Sequence, residues 1–203
     1  SNSNFTNNYN GLILSQSSGA TTFNNLKIIN SSGEAGLYLG NVNNQYFSNI
    51  EITNSSTGIY FLTSSNNTFL GFKINITSAE AIKFEGNSYG NLVRDSLTRE
   101  GATNKEGTLM KGGASVIINN TYLNVSLDNV QVKYTGACGD GTCILNVKQY
   151  LDVYVNYSNS TAVNGSNITI SNVDSALIFT NLTNFSGMIT RQNITDYIYD
   201  NRS

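Results

Sequence analysis

Four carboxylates and two arginines crowd one stretch of this chain: Glu80, Glu85, Asp95 and Glu100, with Arg94 and Arg99 among them. Paired carboxyl groups of this kind can cleave glycosidic bonds as acid and base, and a carboxylate set beside an arginine base can hold calcium. Uronate-polymer cleavage depending on Asp95 or Arg94 is the reaction to test. The same groups can equally pair as surface ion pairs. Most other chemistries lack their residues. There is no His, which excludes a Ser-His-Asp triad, a His general base and a His-ligated zinc. Two Cys cannot complete a four-ligand metal site, and no Gly-rich phosphate loop with a Lys occurs. No cofactor is implied. Trp is absent too, leaving twelve Tyr as the available sugar-stacking rings.

The elements that must carry these residues are read from a repeat. Gly11-Leu-Ile-Leu, Gly36-Leu-Tyr-Leu, Gly58-Ile-Tyr-Phe and Ala81-Ile-Lys-Phe superimpose, at steps of 25, 22 and 23 residues. A second motif follows each: Phe23-Asn-Asn-Leu-Lys-Ile, Phe47-Ser-Asn-Ile-Glu-Ile, Phe69-Leu-Gly-Phe-Lys-Ile and, more loosely, Leu92-Val-Arg-Asp-Ser-Leu. A period in the twenties marks a solenoid, whose units bury their apolar faces by stacking. Leu37 and Leu39 flank Tyr38, Ile59 and Phe61 flank Tyr60, and Ile82 and Phe84 flank Lys83; that alternation is a strand with one buried face. Asn25 and Asn49 align with Gly71, and Asn exchanges with Gly where the backbone needs positive φ. Short strands with Asn-rich corners make a parallel β-helix.

Stacking coils implies outward columns. Ile13, Tyr38, Tyr60 and Lys83 form one, with Glu85 nearby, and Tyr38, Tyr60, Lys83 and Glu85 could contact a glycan by ring stacking and hydrogen bonds. The plainer reading is a cross-coil ladder giving roughly 0.2–1 kcal/mol per pair. Lys27, Glu51 and Lys73 form a second column of alternating sign. Residues 89–113 break the repeat, and a loop is expected to bulge there.

Net charge is −2 with 12% charged residues, so nothing in the chain attracts nucleic acid or anionic lipid. The surface is amide and hydroxyl. Glycosylation sequons begin at Asn4, Asn30, Asn54, Asn66, Asn75, Asn119, Asn124, Asn156, Asn159, Asn164, Asn167, Asn181, Asn184, Asn193 and Asn201. Many would arise by chance in so Asn-rich a chain, but occupied ones would place the protein outside the cell. Cys138-Gly-Asp-Gly-Thr-Cys143 sets two thiols at the ends of a Gly-rich turn, read as a hairpin between residues 130–134 and 144–147. A Cys138–Cys143 disulfide is expected, and with it an oxidising compartment. Apolar runs fall far short of the ~18 residues a membrane helix needs. Residues 1–8 resemble a coil corner, which suggests a processed or partial chain.

Beyond Gln149 the repeat is lost. Leu151-Asp-Val-Tyr-Val, then Val163-Asn-Gly-Ser-Asn-Ile-Thr-Ile, then Ser186-Gly-Met-Ile resembles the carboxypeptidase regulatory-like (transthyretin-like, immunoglobulin-like) module, with Val163 where that module usually has Pro. With the coils before it, the order resembles secreted archaeal surface proteins in which a right-handed β-helix precedes such a module. Val116-Ile-Ile-Asn-Asn-Thr-Tyr would be the last coil. The resemblance implies an extracellular or cell-surface role and transfers no catalytic residues. The β-helix is also shared by polysaccharide lyases and hydrolases, the source of the enzyme alternative.

The expected protein is therefore all-β: a right-handed parallel β-helix over residues 1–148, then a small immunoglobulin-like sandwich over 149–203 that stops short of its full strand set. The expected function is structural and non-enzymatic, as a glycosylated surface-layer, adhesin or filament subunit. Uncapped coil ends and a short sandwich point to self-association, by coil stacking or strand donation, as homo-oligomer or filament.

Overall fold

The computed structural model describes residues 3–76, 79–100, 107–112, 116–127, 132–135 and 142–201. β1 (Ser3–Thr6) belongs to a leading part-coil, and the first full coil holds β2 (Leu12–Ser17), β3 (Thr22–Asn24) and β4 (Leu26–Ile29). The second holds β5 (Leu37–Val42), β6 (Tyr46–Ser48) and β7 (Glu51–Thr53), and the third β8 (Ile59–Leu62), β9 (Thr68–Leu70) and β10 (Lys73–Ile76). Then follow β11 (Ile82–Glu85), β12 (Leu92–Glu100), β13 (Thr108–Lys111), β14 (Ile117–Leu127), β15 (Val132–Thr135) and β16 (Cys143–Leu151). Each strand pairs in parallel with its counterpart one coil on, giving a six-stranded sheet in the order β15-β13-β11-β8-β5-β2 and an 11-stranded sheet containing the others.

The registers Leu12↔Leu37, Leu37↔Ile59 and Ile59↔Ile82 match the sequence repeat. The fourth unit of the second motif is off by one. Val93, not Leu92, sits opposite Phe69, so Val93 is buried and Leu92 is only half-buried. A one-residue slip exchanges the two faces of a strand, and the apolar pair Leu92-Val93 conceals it. Residues 92–100, expected to be irregular, form β12, which turns at the positive-φ residue Asp95 and pairs with β9 before it and β10 after it; residues 101–106 lie outside the described residues.

The core is a column of side chains. Phe23, Phe47 and Phe69 stack at 4.9 and 4.4 Å between ring centroids, and Phe61 stacks on Phe84 at 4.8 Å. Such pairs contribute about 0.5–1.5 kcal/mol each beyond the area they bury.

The Asn content follows from the corners. Four columns of residues hold positive φ: Gln16, Asn41, Thr63 and Gly86; Asn44, Asn66, Gly90 and Asn119; Asn25, Asn49, Gly71, Asp95 and Asn124; and Asn7, Asn30 and Asn54. Short amide side chains tolerate this region and, stacked a coil apart, bond one another: Asn30 Nδ2 donates to Asn7 Oδ1 and Asn54 Nδ2 to Asn30 Oδ1.

Chain contacts divide the molecule into two units, Gln149–Ile194 and everything else. The first unit returns at Thr195, which the sequence reading had assigned to the sandwich. There β19 (Gln192–Asp200) joins β16, and Asn201 bonds Cys143 through backbone and side chain. The edge of the last coil is thereby covered. In the second unit β17 (Asn167–Ser171) and β18 (Leu177–Leu182) form an antiparallel hairpin, and single antiparallel bridges pair Tyr154 with Met188 and Asn156 with Ala162 outside it. These are strands and turns; they do not by themselves amount to an immunoglobulin-like sandwich.

Candidate functional site

The six-stranded sheet turns Leu37, Leu39, Ile59, Phe61, Ile82 and Phe84 into the core, and the residues between them point outward. The expected column forms: Ile13 lies opposite Tyr38, Tyr38 opposite Tyr60, and Tyr60 opposite Lys83. Gly40 makes room for it, since a Cβ there would come within 3.0 Å of the Tyr38 ring. The Tyr38 and Tyr60 rings meet edge to face at 5.1 Å, and Lys83 Nζ lies 3.9 Å from the centre of the Tyr60 ring.

Glu85 ties the group together. Its Oε2 accepts a hydrogen bond from the Tyr60 hydroxyl and pairs with Lys83 Nζ at 3.0 Å, while its Oε1 pairs with Lys111 Nζ at 3.2 Å. Tyr38, Tyr60, Lys83 and Glu85, the four residues singled out in the sequence, are thus one cluster. Lys111 completes it from the next coil, where the repeat had faded. Tyr60 is 7% exposed, but the Lys111 side chain is 50% exposed.

The charges follow from this packing. Burial alone would raise the Glu85 pKa, but the bonds from Tyr60, Lys83 and Lys111 outweigh it and hold the carboxyl below its ordinary value. Burial, then the bond to Glu85 and its negative charge, push the Tyr60 hydroxyl far up. Burial and the charges of Glu34 and Glu85 raise Tyr38. Glu85 is therefore a fixed anion and Tyr60 a fixed neutral donor.

The other candidates are spread out. Lys27 lies opposite Glu51 and Glu51 opposite Lys73, with Lys27 Nζ 3.3 Å from Glu51 Oε2. A surface hollow of about 370 Å³ lies beside that column, lined by Glu51, Lys73, Asn75 and Leu97. Asp95 is a positive-φ corner residue whose carboxylate accepts a bond from Asn124 Nδ2. Its backbone conformation accounts for its place in the column. The side chains of Arg99 and Glu100 lie outside the described residues. Among the described residues no group of three or more potential metal ligands occurs.

Cys138 also lies outside the described residues, and no described cysteine is free. The two runs flanking the cysteines are not a hairpin. β15 belongs to the six-stranded sheet and β16 to the other, and residues 136–141 between them lie outside the described residues. Of the sequon asparagines, Asn4, Asn30, Asn54, Asn66, Asn75, Asn119, Asn124, Asn156, Asn159, Asn164, Asn167, Asn184 and Asn193 are exposed, and Asn181 and Asn201 half-buried.

A family model described as "Right handed beta helix region" matches residues 1–149. The chain belongs to the right-handed β-helix family. Comparisons with curated proteins and with solved structures returned no match. The matched residues contain the whole Tyr–Lys–Glu cluster, Lys111 included.

The β-helix also carries an internal polar device that the sequence reading missed. Asn67 Nδ2 donates to Asn91 Oδ1 at 3.0 Å and to Val42 O at 2.8 Å; Asn91 Nδ2 donates to Asn120 Oδ1 at 2.9 Å and to Ser64 O at 2.8 Å. Ser64 and Ser88 stack beside them, each hydroxyl accepting the backbone N–H of the residue one coil before. All five side chains are essentially buried. The signal was present as Ser64-Ser-Asn-Asn67 and Ser88-Tyr-Gly-Asn91, one period apart.

Proposed function

We propose that this β-helix is a non-enzymatic, glycosylated extracellular structural protein, a subunit of a surface layer, adhesin or filament. The observation that carries the reading is Glu85. Its carboxylate is saturated by Tyr60, Lys83 and Lys111 and held ionised, so the best-formed polar cluster serves as a clasp across three coils. The exposed sequons support an extracellular address, as would the Cys138–Cys143 bridge. An immunoglobulin-like identity for the second unit rests on the sequence resemblance, with its strands and hairpin in support. Self-association is part of the proposal and would use the edge of β1, since β19 covers that of β16. Light scattering over a concentration series tests it: mass should rise with concentration, and a constant monomer mass argues against it.

One observation favours a second reading, in which the same face binds a carbohydrate. Tyr38, Tyr60, Lys83 and Glu85 stand together, and Lys111 beside them is half exposed. A glycan array decides: binding lost on replacing Tyr38 by Ala supports the reading, and an array without signal removes it.

A further inference from the structure

The fifteen sequons divide by structural cause. In the β-helix, Asn30, Asn54, Asn66, Asn119 and Asn124 sit at positive-φ corners, where Asn serves the backbone. Three of them spend their side-chain amide on the column: Asn30 Nδ2 bonds Asn7 at 2.8 Å, Asn54 Nδ2 bonds Asn30 at 2.7 Å, and Asn124 Nδ2 bonds Asp95 at 2.8 Å.

The second unit differs. Seven sequons begin within Gln149–Ile194, at Asn156, Asn159, Asn164, Asn167, Asn181, Asn184 and Asn193, and none of these asparagines has positive φ. In two of them the sequon itself is a closed Asx turn. Asn159 Oδ1 accepts the Thr161 N–H at 3.0 Å, and Asn184 Oδ1 accepts the Ser186 N–H at 2.9 Å and that of Met188 at 3.1 Å. In both the oxygen faces the chain, both residues are exposed, and neither Nδ2 donates to another described residue. The same unit exposes large apolar side chains. Phe185, the middle residue of the Asn184 sequon, is 89% exposed, and Tyr157, in the Asn156 sequon, is 61% exposed.

We infer that the second unit is the glycan-bearing part of the protein, with Asn159 and Asn184 its principal attachment sites, and that Asn30, Asn54 and Asn124 are structural corners left unmodified. This rests on the reading of the protein as glycosylated. The donor is a lipid-diphosphate-linked oligosaccharide. Nδ2 attacks the anomeric carbon, the N–C1 bond forms, and the C1–O bond breaks with its electron pair leaving on the lipid diphosphate. The surplus Nδ2 proton passes to a base of the transferring enzyme. An Asx turn spans two residues and forms without the rest of the fold, so it presents Nδ2 before or after folding. The attached sugars would cover rings such as Phe185, explaining how so apolar a surface stays in water.

The test is peptide mass spectrometry on the protein isolated from its own cells, with fragmentation that keeps each glycan on its asparagine. Occupancy at both Asn159 and Asn184 above that at each of Asn30, Asn54 and Asn124 is the expected result. Any other ranking among glycosylated sites overturns the inference while leaving the glycoprotein reading in place. A chain bare at every sequon removes both.

Discussion

At single positions, backbone conformation and charge pairing decide what is tolerated. Gly71 holds φ +70 in a column otherwise filled by Asn and Asp, and a Cβ there would meet its nearest neighbour, Asn49 Oδ1, at 3.3 Å. Gly71→Asn should leave the urea midpoint nearly unchanged, whereas Gly71→Val should cost about 1–2 kcal/mol, the penalty for a branched side chain at positive φ. Equal losses for both would remove the corner-column account. Glu85 makes a pH prediction. Its folded pKa lies below the unfolded value of about 4.3, so its contribution is complete above that value and is lost as pH falls through the lower folded one. Glu85→Gln should therefore be less stable than the native chain at pH 7, by about 1 kcal/mol. The gap should close on acidification; a gap unchanged between pH 7 and pH 3 would contradict the clasp.

Between elements, the coils are matched by ladders. Asn91 bridges three coils, and with it gone the Asn67 N–H and the Ser64 carbonyl lose buried partners. Asn91→Ala should cost about 3 kcal/mol, on the order of 1–3 kcal/mol per orphaned group, read from denaturant unfolding. Lys73→Glu places a like charge opposite Glu51 and should cost only about 0.2–1 kcal/mol in the same assay. A ranking in which Lys73→Glu is the more damaging would show that the outer column, not the inner ladder, aligns the coils. This scale also shows what the sequence revealed. The alternation around Tyr38, Tyr60 and Lys83 fixes faces and register together, so the outward cluster was legible there. The slip at Leu92 was not, because two adjacent apolar residues satisfy either register. Asp95 hid its corner, since Asp is a less obvious tenant of positive φ than Asn or Gly. The inner Asn ladder was overlooked because Asn reads as surface, and only its bonding one coil away explains its burial. Lys111 escaped because the spacing between Ile82 and Thr108 departs from the earlier steps.

For the whole molecule, the family match covers the coils, while the second unit was visible only as strands and turns. Its division from the coils near Gln149 follows the loss of the repeat, but the return at Thr195 could not be read, because β19 pairs with β16 across a long loop of chain. Alternation announces a strand and is silent about a partner so distant in sequence. The central proposal is that the Glu85 cluster on the outer face of the β-helix serves as a clasp between coils and not as a catalytic site. Chain-length analysis of neutral and uronate-containing polysaccharides after incubation with the protein tests it most directly. Every polymer should keep its length; shortening that disappears in Glu85→Gln or Asp95→Asn would contradict the claim.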